Sequence, residues 1–489
     1  MVRMGVGPVR LLWVAVSLLA IGLAWWGLAG LDDGLEVTFS HRDGVPLRLI
    51  RPPGEEPGPA VIIGHGFSGS QQLLLGYGYA LARAGYASLL LDFAGSGANG
   101  QVLAGRGEAL QANLASAHAA LVEEPTVAAD QVALLGHSMG SGAVLRAGIE
   151  QAQLVDAVVA VSPTDADVTP ARPPNLLLMA GQFEGRFVDN ARELLARAGG
   201  PSDDFASGTA RALALIPTVE HITILFSSTS QNLAVEWLDR VFGRTTLTNY
   251  RDTRLLWYGL HLIGWTSLAL AVAPALPAAA TDATADRSRR RRWLGLVAGP
   301  LLATALLALL GRLVDLGGFL GLAVGGLAAL WLLIVGLVWL LVGYRPQPPS
   351  ARSLLWGLAF FALLWVLFGL AAQFVIIQWW LIPVRLLRWP LLALLCLPWK
   401  LAAGYALHHA SWAARTGWGA GQSAVIVIGL LLAAFTIPGA FFLALVAPVV
   451  PLVLLVETTV APVARPPWAY GLGAALFFGW LLAALFALV

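Results

Sequence analysis

The sequence has 489 residues, of which 58% are hydrophobic and only 12% are charged. Because soluble proteins carry about 25% charged residues, this composition excludes a wholly soluble protein, a disordered protein and an ordinary nucleic-acid binder. The formal net charge is only +2, and the single cysteine, Cys396, excludes an intrachain disulfide framework and a cysteine-rich metal site.

The first predicted element is an uncharged apolar run at residues 11–31, which is long enough to cross a bilayer as a helix. Arg3 and Arg10 precede it, and two tryptophans lie near its far end, where membrane proteins carry aromatic belts. The run exceeds the apolar core of a signal peptide, and no clear cleavage site follows it. Residues 1–31 are therefore predicted to be a retained signal anchor.

Residues 32–250 have ordinary polarity and alternate apolar strand-like runs with helical stretches. This alternation predicts one α/β domain with a mostly parallel sheet and helices on both faces. The predicted strands are residues 60–63, 87–93, 131–136, 157–162, 175–180 and 211–216.

The most specific motif is Gly-His-Ser-Met-Gly at residues 136–140, which fits the G-x-S-x-G pattern of a nucleophile elbow. A predicted strand precedes it and a small-residue helix start follows it. Such a turn exposes the hydroxyl of Ser138 and directs the next amide N–H, that of Met139, towards the reacting oxygen. The motif thus predicts a serine nucleophile and one oxyanion donor.

A serine nucleophile needs a base and an acid that orients the base, and after a nucleophile elbow the acid precedes the histidine in the chain. Glu184 follows the predicted strand 175–180, and His221 follows the predicted strand 211–216. Glu184 is the favoured acid and His221 the expected base. Three other carboxylates are alternatives for the acid: Asp165, Asp167 and Asp189.

The turn Gly-His-Gly-Phe-Ser-Gly at residues 64–69 corresponds to the loop that supplies the second oxyanion donor, and the N–H of Phe67 is the candidate. The same turn fits the G-x-G-x-x-G pattern of dinucleotide-binding folds, with Asp92 ending the next strand. That pattern recurs at residues 95–100, and a dinucleotide-binding interpretation leaves the elbow, the acid and the histidine unexplained.

With these motifs the sequence resembles the α/β-hydrolase superfamily, and most of all its serine esterase and dienelactone-hydrolase-like branches. The resemblance implies hydrolysis through an acyl-serine intermediate, in which Ser138 attacks, His221 relays the proton and Glu184 orients the imidazole. A glutamate in place of the commoner aspartate is a departure that the superfamily permits. No cofactor or metal ion is implied. The resemblance covers residues 35–245 and is carried by residues 65–69, 92–97 and 136–140, Glu184 and His221.

Many members of this superfamily insert a helical cap after the strand that corresponds to residues 157–162. Here only residues 163–174 separate that strand from the next, so the predicted α/β-hydrolase fold has no inserted cap. The pocket is expected to be open or covered by the membrane region. A substrate that arrives at, or from, the outer leaflet suits both cases.

Residues 251–489 are apolar again and are predicted to form an all-α membrane domain of about seven transmembrane helices, or eight spans with the N-terminal one. Glu457 is expected in an outer loop, because threonines and prolines follow it. The candidate spans are residues 255–276, 293–314, 317–343, 354–379, 389–410, 422–448 and 468–489.

The arginines indicate the orientation of the spans. In an eight-span topology most arginines outside residues 32–250 fall on one side, which the positive-inside rule makes cytoplasmic. The soluble domain is then extracytoplasmic and both termini are cytoplasmic, in a multi-pass protein of the cell membrane. Arg385 and Arg388 fall on the opposite side. The arginines on the cytoplasmic side are Arg3, Arg10, Arg287, Arg289, Arg290, Arg291, Arg292, Arg345, Arg352 and Arg415.

The near-neutral total charge consists of two opposite populations. Residues 32–250 hold 13 arginines and 23 acidic residues, whereas the rest of the chain holds 17 basic and 5 acidic residues. The first part therefore carries a net charge of −10 and the second a net charge of +12.

The sequence thus predicts a membrane-embedded serine hydrolase that cleaves a carboxylic ester, with a lipid or another acyl compound as substrate. The same three residues would serve an acyltransferase, and a transporter or scaffold with a non-catalytic hydrolase-like binding domain is the alternative of another class. The expected partners are the lipid bilayer and the acyl substrate, without nucleic acid; the sequence indicates no protein partner.

Overall fold

The computed structural model describes residues 7–246, 249–276 and 288–489, so Arg3 and Arg287 of the predicted cytoplasmic arginines lie outside the described residues. Helix α1 (Pro8–Ala29) comes first, and a sheet covered by helices follows. The strands are β1 (Glu36–Arg42), β2 (Val45–Arg51), β3 (Gly58–Gly64), β4 (Ala87–Leu91), β5 (Val127–His137), β6 (Ala157–Val161), β7 (Leu176–Gly181) and β8 (Arg211–Ile216). The helices between them are α2 (Leu75–Arg83), α3 (Arg106–Val122), α4 (Met139–Glu150), α5 (Gly185–Arg197) and α6 (Ser228–Val241).

The strand order across the sheet is β1-β2-β4-β3-β5-β6-β7-β8. Strands β3 to β8 run parallel to one another, and β1 and β2 pair antiparallel. Parallel neighbours need a crossover connection, and here each connection is a helix or a crossover loop. No helix interrupts residues 162–175 between β6 and β7. The predicted α/β-hydrolase fold without an inserted cap is therefore confirmed.

The hairpin of β1 and β2 was not among the predicted strands. Its turn is Asp43-Gly44, and both residues have positive φ, at 50° and 78°. This is the backbone of a type I′ turn, for which Asp-Gly is a strong sequence signal. The hairpin extends the sheet at its β4 edge.

Side chains alternate between the two faces of the sheet. In β3, Val61 and Ile63 pack with α2 and α6 on one face, while Ala60 and Ile62 pack with α3, α4 and α5 on the other. Strands buried on both faces read as continuous apolar runs, which is why the central strands were recognisable in the sequence. The carboxyl ends of these strands carry the residues of the site described below.

Residues 254–485 form a helical bundle together with α1. Within the described residues, eight helices are long and apolar enough to cross a membrane, in agreement with the predicted number, and α15 is a shorter apolar helix. A π-helical turn (Trp365–Leu370) joins α10 to α11. The helices are α7 (Arg254–Val272), α8 (Arg289–Leu310), α9 (Gly325–Gly343), α10 (Ala351–Leu364), α11 (Ala371–Val375), α12 (Pro383–Leu386), α13 (Trp389–Leu407), α14 (Trp412–Thr436), α15 (Val449–Val460) and α16 (Pro467–Leu485).

The two ends of the bundle face different surroundings. At one end, near the start of α1, Arg10 Nε donates to the carbonyl of Ala271 at 2.8 Å. At the other end, beside the sheet, the amide of Leu488 donates to the carbonyl of Gly95 at 2.8 Å. The start of α1 and the last residues of the chain therefore lie at opposite ends of the bundle.

The expectation that both termini lie on one side stays a prediction, but the described helices follow a different path from the predicted eight spans because α15 adds a short crossing. The chain passes from Phe442, which packs on Phe67 beside the sheet, to Arg465, which donates to the carbonyl of Ala273 at the far end. Because of this short crossing, α16 runs in the direction opposite to that expected from the predicted eight-span topology. Helix α15 has 12 residues, fewer than the ~20 that identify a spanning helix by hydropathy.

Glu457 lies inside the bundle on α15 and not in an outer loop. Its carboxylate accepts a hydrogen bond from Lys400 Nζ at 2.6 Å and from the hydroxyl of Tyr470 at 3.3 Å. The side chains of Lys400 and Glu457 are 0% exposed. Both bonds end on Oε2, while Oε1 has no hydrogen-bond partner among the described residues. A carboxylate in an apolar interior needs a nearby cation, and Lys400 comes from a distant part of the chain.

Two buried arginines join the bundle to the sheet. Arg254, the first residue of α7, pairs with Asp252 at 2.7 Å and donates to the carbonyl of Gln72 at 2.9 Å. Arg385, on α12, donates to the carbonyl of Gly95 and to two carbonyls of the C-terminal segment. Arg385 lies at the sheet-facing end of the bundle, away from the predicted cytoplasmic arginines, because its guanidinium binds backbone oxygens there.

Candidate active site

Ser138 lies between β5 and α4 in a strained turn, with φ 52° and ψ −118°. Glycines make the turn possible. A Cβ at Gly136 would lie 2.2 Å from the carbonyl oxygen of Gly140, and one at Gly140 would lie 2.4 Å from that of Gly64. The backbones of β5, α4 and β3 are therefore in direct contact, and the hydroxyl of Ser138 stands clear of the sheet.

His221 lies in the loop after β8 and contacts both other predicted residues of the triad. Its Nε2 is 3.1 Å from Ser138 Oγ, and its Nδ1 is 3.3 Å from Glu184 Oε2. The structure thus brings Ser138, His221 and Glu184 into one chain of hydrogen bonds. In this series of hydrogen bonds, Nε2 of His221 can accept the proton of the Ser138 hydroxyl while Nδ1 donates to the Glu184 carboxylate.

Glu184 is held in a fixed orientation. Its side chain is 1% exposed, and its Oε1 accepts hydrogen bonds from Ser162 Oγ at 2.9 Å and from the amide of Gly181 at 3.1 Å. The second oxygen, Oε2, is left for His221. This arrangement distinguishes Glu184 from the three alternative acids.

The alternative carboxylates lie on the surface and do not contact His221 in this structure. Asp165 pairs with Arg197, and Asp189 pairs with Arg192 at 3.4 Å. Asp167 is exposed. The structure therefore favours Glu184 as the orienting acid on geometric grounds.

The loop at residues 64–69 lies against the elbow, as the predicted oxyanion hole requires. A Cβ at Gly66 would lie 2.9 Å from His137 Nδ1 and 3.1 Å from Ser138 Cβ. Phe67 and Met139 line the same cavity as Ser138. Met139 is the first residue of α4, and amides in the first turn of a helix have no partner within the helix, so its N–H is available to an oxyanion.

Two further histidines support the site through hydrogen bonds that the sequence did not reveal. His137 Nε2 lies 2.9 Å from the carbonyl oxygen of His221 and fixes the backbone of that loop. Burial, with a smaller contribution from the charge of His221, lowers the pKa of His137 well below its ordinary value. The ring is therefore neutral, and the contact to a carbonyl requires the proton on Nε2.

His65 supports the oxyanion loop in the same way. Its Nε2 accepts from the amide of Phe93 at 3.0 Å, and its Nδ1 donates to the carbonyl of Gly66 at 2.7 Å. Burial lowers the pKa of His65. A neutral ring with the proton on Nδ1 satisfies both bonds.

Phe187, in the first turn of α5, stacks on the His221 ring with a centroid distance of 4.3 Å and an interplanar angle of 17°. The only hint of this contact in the sequence is an aromatic residue shortly after Glu184. Stacking restricts the rotation of the imidazole and keeps it between Ser138 and Glu184.

A cavity of about 600 Å³ opens beside Ser138. The bundle contributes two of its lining residues, in the loop between α14 and α15, so the bundle forms part of its wall. The residues that line it are Phe67, Ser138, Met139, Pro163, Thr164, Asp165, Arg186, Phe187, Asp189, Asn190, Glu193, Phe441 and Phe442.

Comparison with known proteins agrees with the fold. Residues 55–210 match the model of the hydrolase family described as serine aminopeptidase, S33. No curated protein matches the sequence at a significant level. The resemblance to α/β hydrolases inferred from the sequence is therefore confirmed for the sheet-containing part of the chain.

The similar solved structures are hydrolases that align with less than half of this chain. A CIB-like hydrolase from Thermoplasma acidophilum is 15% identical, with 42% of this chain and 97% of that chain covered and a TM-score of 0.35. A dienelactone hydrolase from Anabaena variabilis is 21% identical, with 42% and 97% covered and a TM-score of 0.33. A hormone-sensitive lipase from a metagenome library is 17% identical, with 48% and 99% covered and a TM-score of 0.34.

Proposed function

We propose that this protein is a membrane-embedded serine hydrolase that cleaves a carboxylic ester through an acyl-serine intermediate. The observation that carries the proposal is the chain of contacts from Ser138 Oγ through the His221 imidazole to Glu184 Oε2, at 3.1 and 3.3 Å. These distances are within or just beyond the range of catalytic hydrogen bonds, which tighten when substrate binds.

In the proposed reaction His221 Nε2 accepts the proton of the Ser138 hydroxyl while Oγ attacks the ester carbonyl carbon. The carbonyl oxygen becomes an oxyanion that the N–H groups of Met139 and Phe67 stabilise. His221 then donates its proton to the alkoxide leaving group, which departs as an alcohol. Water, deprotonated by His221, attacks the acyl-serine and releases the carboxylic acid, and Ser138 recovers its proton.

We also propose an orientation in the cell membrane. Arginines cluster at the bundle end remote from the sheet, where α8, α10, α14 and α16 begin, and the positive-inside rule favours this end as cytoplasmic. The sheet-containing region is then extracytoplasmic. With α15 as a further crossing, the N-terminus is cytoplasmic and the C-terminus extracytoplasmic.

Labelling with a fluorophosphonate probe tests the hydrolase proposal. Wild-type protein in membranes should be labelled, whereas Ser138→Ala should lose the label. The matched control is Ser116→Ala, which removes an exposed hydroxyl bonded to Asp43 and far from the elbow in the chain. Labelling that persists in Ser138→Ala, or absence of label in the wild type, would contradict the proposal.

Amide hydrolysis is the second candidate function. The matching family is described as serine aminopeptidase, and the cavity is lined by Asp165, Asp189 and Glu193, whose carboxylates can attract a substrate ammonium group. Two of these carboxylates are already paired with arginines, which favours the ester proposal. Turnover of an uncharged p-nitrophenyl ester without measurable turnover of an aminoacyl p-nitroanilide supports the ester, whereas anilide turnover that N-acetylation of the substrate abolishes supports the amide.

A further inference from the structure

The wall of the cavity opposite the charged rim comes from the membrane region. The loop at residues 437–448 connects α14 to α15 at the sheet-facing end of the bundle. Its Phe442 ring packs on Phe67, the proposed oxyanion donor, with a centroid distance of 4.3 Å. Phe441 and Phe442 both line the cavity beside Ser138. A bundle loop thus takes the place that a helical cap has in other hydrolases of this fold.

The rings in and beside this loop form a continuous series. Phe435, in the last turn of α14, is 74% exposed on the side of the bundle. Its ring contacts Phe441 at 5.9 Å, Phe441 contacts Phe442 at 5.7 Å, and Phe442 contacts Phe67. On a helix that crosses a membrane, an exposed phenylalanine faces lipid. The series therefore runs from a lipid-facing surface to the proposed nucleophile.

The cavity lining also includes charged side chains. Helix α5 and the loop after β6 contribute Asp165, Arg186, Asp189 and Glu193, together with Phe187 and Pro163. A cavity with an apolar wall towards the membrane and a charged rim away from it matches an amphiphile, whose chain and polar group require different surroundings.

We propose that residues 437–448 form the acyl-chain wall of the site, and that the substrate is a lipid ester whose acyl chain reaches Ser138 from the bilayer along Phe435, Phe441 and Phe442. The inference rests on the proposed hydrolase function. It adds the substrate class, the route of entry and the residues that select for chain length.

Chain-length dependence tests the inference in the full-length protein embedded in lipid nanodiscs. The substrates are p-nitrophenyl butyrate, whose acyl chain has four carbons, and p-nitrophenyl palmitate, whose acyl chain is four times as long. Phe441→Ala should lower kcat/KM for the palmitate at least about tenfold, as expected for loss of an apolar pocket contact, and leave the value for the butyrate within about twofold. Phe441 is preferred to Phe442, because Phe442 also packs on Phe67.

Two further variants keep the result interpretable. Phe39→Ala, which removes an exposed phenylalanine on β1, should change the turnover of neither substrate. Phe441→Leu, which keeps an apolar side chain, should restore most of the palmitate activity. Equal losses for both esters in Phe441→Ala, or no loss for either, would overturn the inference.

Fluorophosphonate labelling of the same samples separates this inference from the proposed function. Labelled wild-type protein without a chain-length effect contradicts only the acyl-chain wall. Unlabelled wild-type protein contradicts the hydrolase itself.

Discussion

The sheet region and the helical bundle place their charges in opposite ways. In the sheet region, ion pairs such as Arg146–Glu150 and Arg240–Asp203 are about half exposed or more, and such pairs contribute little to stability. In the bundle, the pair Lys400–Glu457 is fully buried. The first arrangement suits a surface in water and the second an interior surrounded by lipid, where an unpaired charge is very costly.

The two regions also contribute different kinds of residue to the candidate active site. The proposed nucleophile, base, acid and oxyanion donors all lie at strand ends of the sheet region, whereas Phe441 and Phe442 come from the bundle. The polar groups that hold these residues in place, such as Ser162 and His137, belong to the sheet region too. Under the proposed function, bond cleavage belongs to one region and recognition of the acyl chain to the other.

The largest effect is expected from removing the charge of the proposed acid. Glu184→Gln keeps the size of the side chain but removes the acceptor that orients His221, and we expect kcat to fall by about 10⁴-fold. The controls are Asp165→Asn and Asp189→Asn, which should stay within about threefold. Steady-state hydrolysis of p-nitrophenyl butyrate measures all three. A larger loss in either control would move the acid to that residue.

The next largest effect is expected on the stability of the bundle. Lys400→Met leaves Glu457 buried without a cation, and the free energy of unfolding should fall by about 3–5 kcal/mol. The double variant Lys400→Met with Glu457→Leu should recover most of the loss, because no charge then remains buried. The midpoint of thermal unfolding in nanodiscs measures the effect.

The control for this prediction is Arg312→Met, which removes an exposed cation beyond α8 and should leave the midpoint unchanged. Fluorophosphonate labelling of the folded protein should persist in Lys400→Met, since the triad lies in the other region. Loss of labelling without unfolding would show that the two regions do not divide the work as described.

A smaller effect follows from the two buried histidines of the sheet region. Burial lowers the pKa of His65 and His137, so the folded protein binds their protons only at lower pH than the unfolded chain does. The unfolded chain binds these protons below about pH 6.5, so stability is complete above that pH and falls as the pH decreases through it. Each histidine should cost up to about 2 kcal/mol between pH 7 and pH 5.

Thermal unfolding between pH 5 and pH 8 measures this dependence. His137→Gln should reduce the slope below pH 6.5, and His41→Gln, which removes an exposed histidine, should not. An identical slope in His137→Gln and wild type would indicate that His137 is protonated in the folded state.

The smallest effect on stability is expected from two cysteine substitutions that test the topology. Val489→Cys should react with a membrane-impermeant maleimide on intact cells, because residues 486–489 contact the sheet region, which is extracytoplasmic in the proposed orientation. Arg345→Cys, at the other end of the bundle, should react only after permeabilisation. Cys396 is buried and serves as the internal background. The opposite labelling pattern would reverse the proposed orientation.

Much of the sheet region and of the candidate site was predictable from the sequence. Parallel strands bring their carboxyl ends to one edge, so residues that follow different strands, such as Ser138, Glu184 and His221, meet even though they are far apart in the chain. The sequence also identified the turns at residues 64–69 and 136–140, because their glycines mark close backbone contacts. It missed the hairpin of β1 and β2, despite the Asp-Gly turn, because a short edge hairpin carries fewer apolar residues.

The sequence alone determined the residues whose roles depend on local patterns: the elbow, the acid and histidine after their strands, and the eight long apolar helices. Tertiary structure decided the rest. Helix α15 carries Glu457 into the bundle interior, where Lys400 and Tyr470 bind one oxygen of its carboxylate, and a hydropathy profile does not register partners from other helices. The support of His221 by His137 and the Phe441–Phe442 wall also join residues far apart in the chain, so packing and not periodicity creates them.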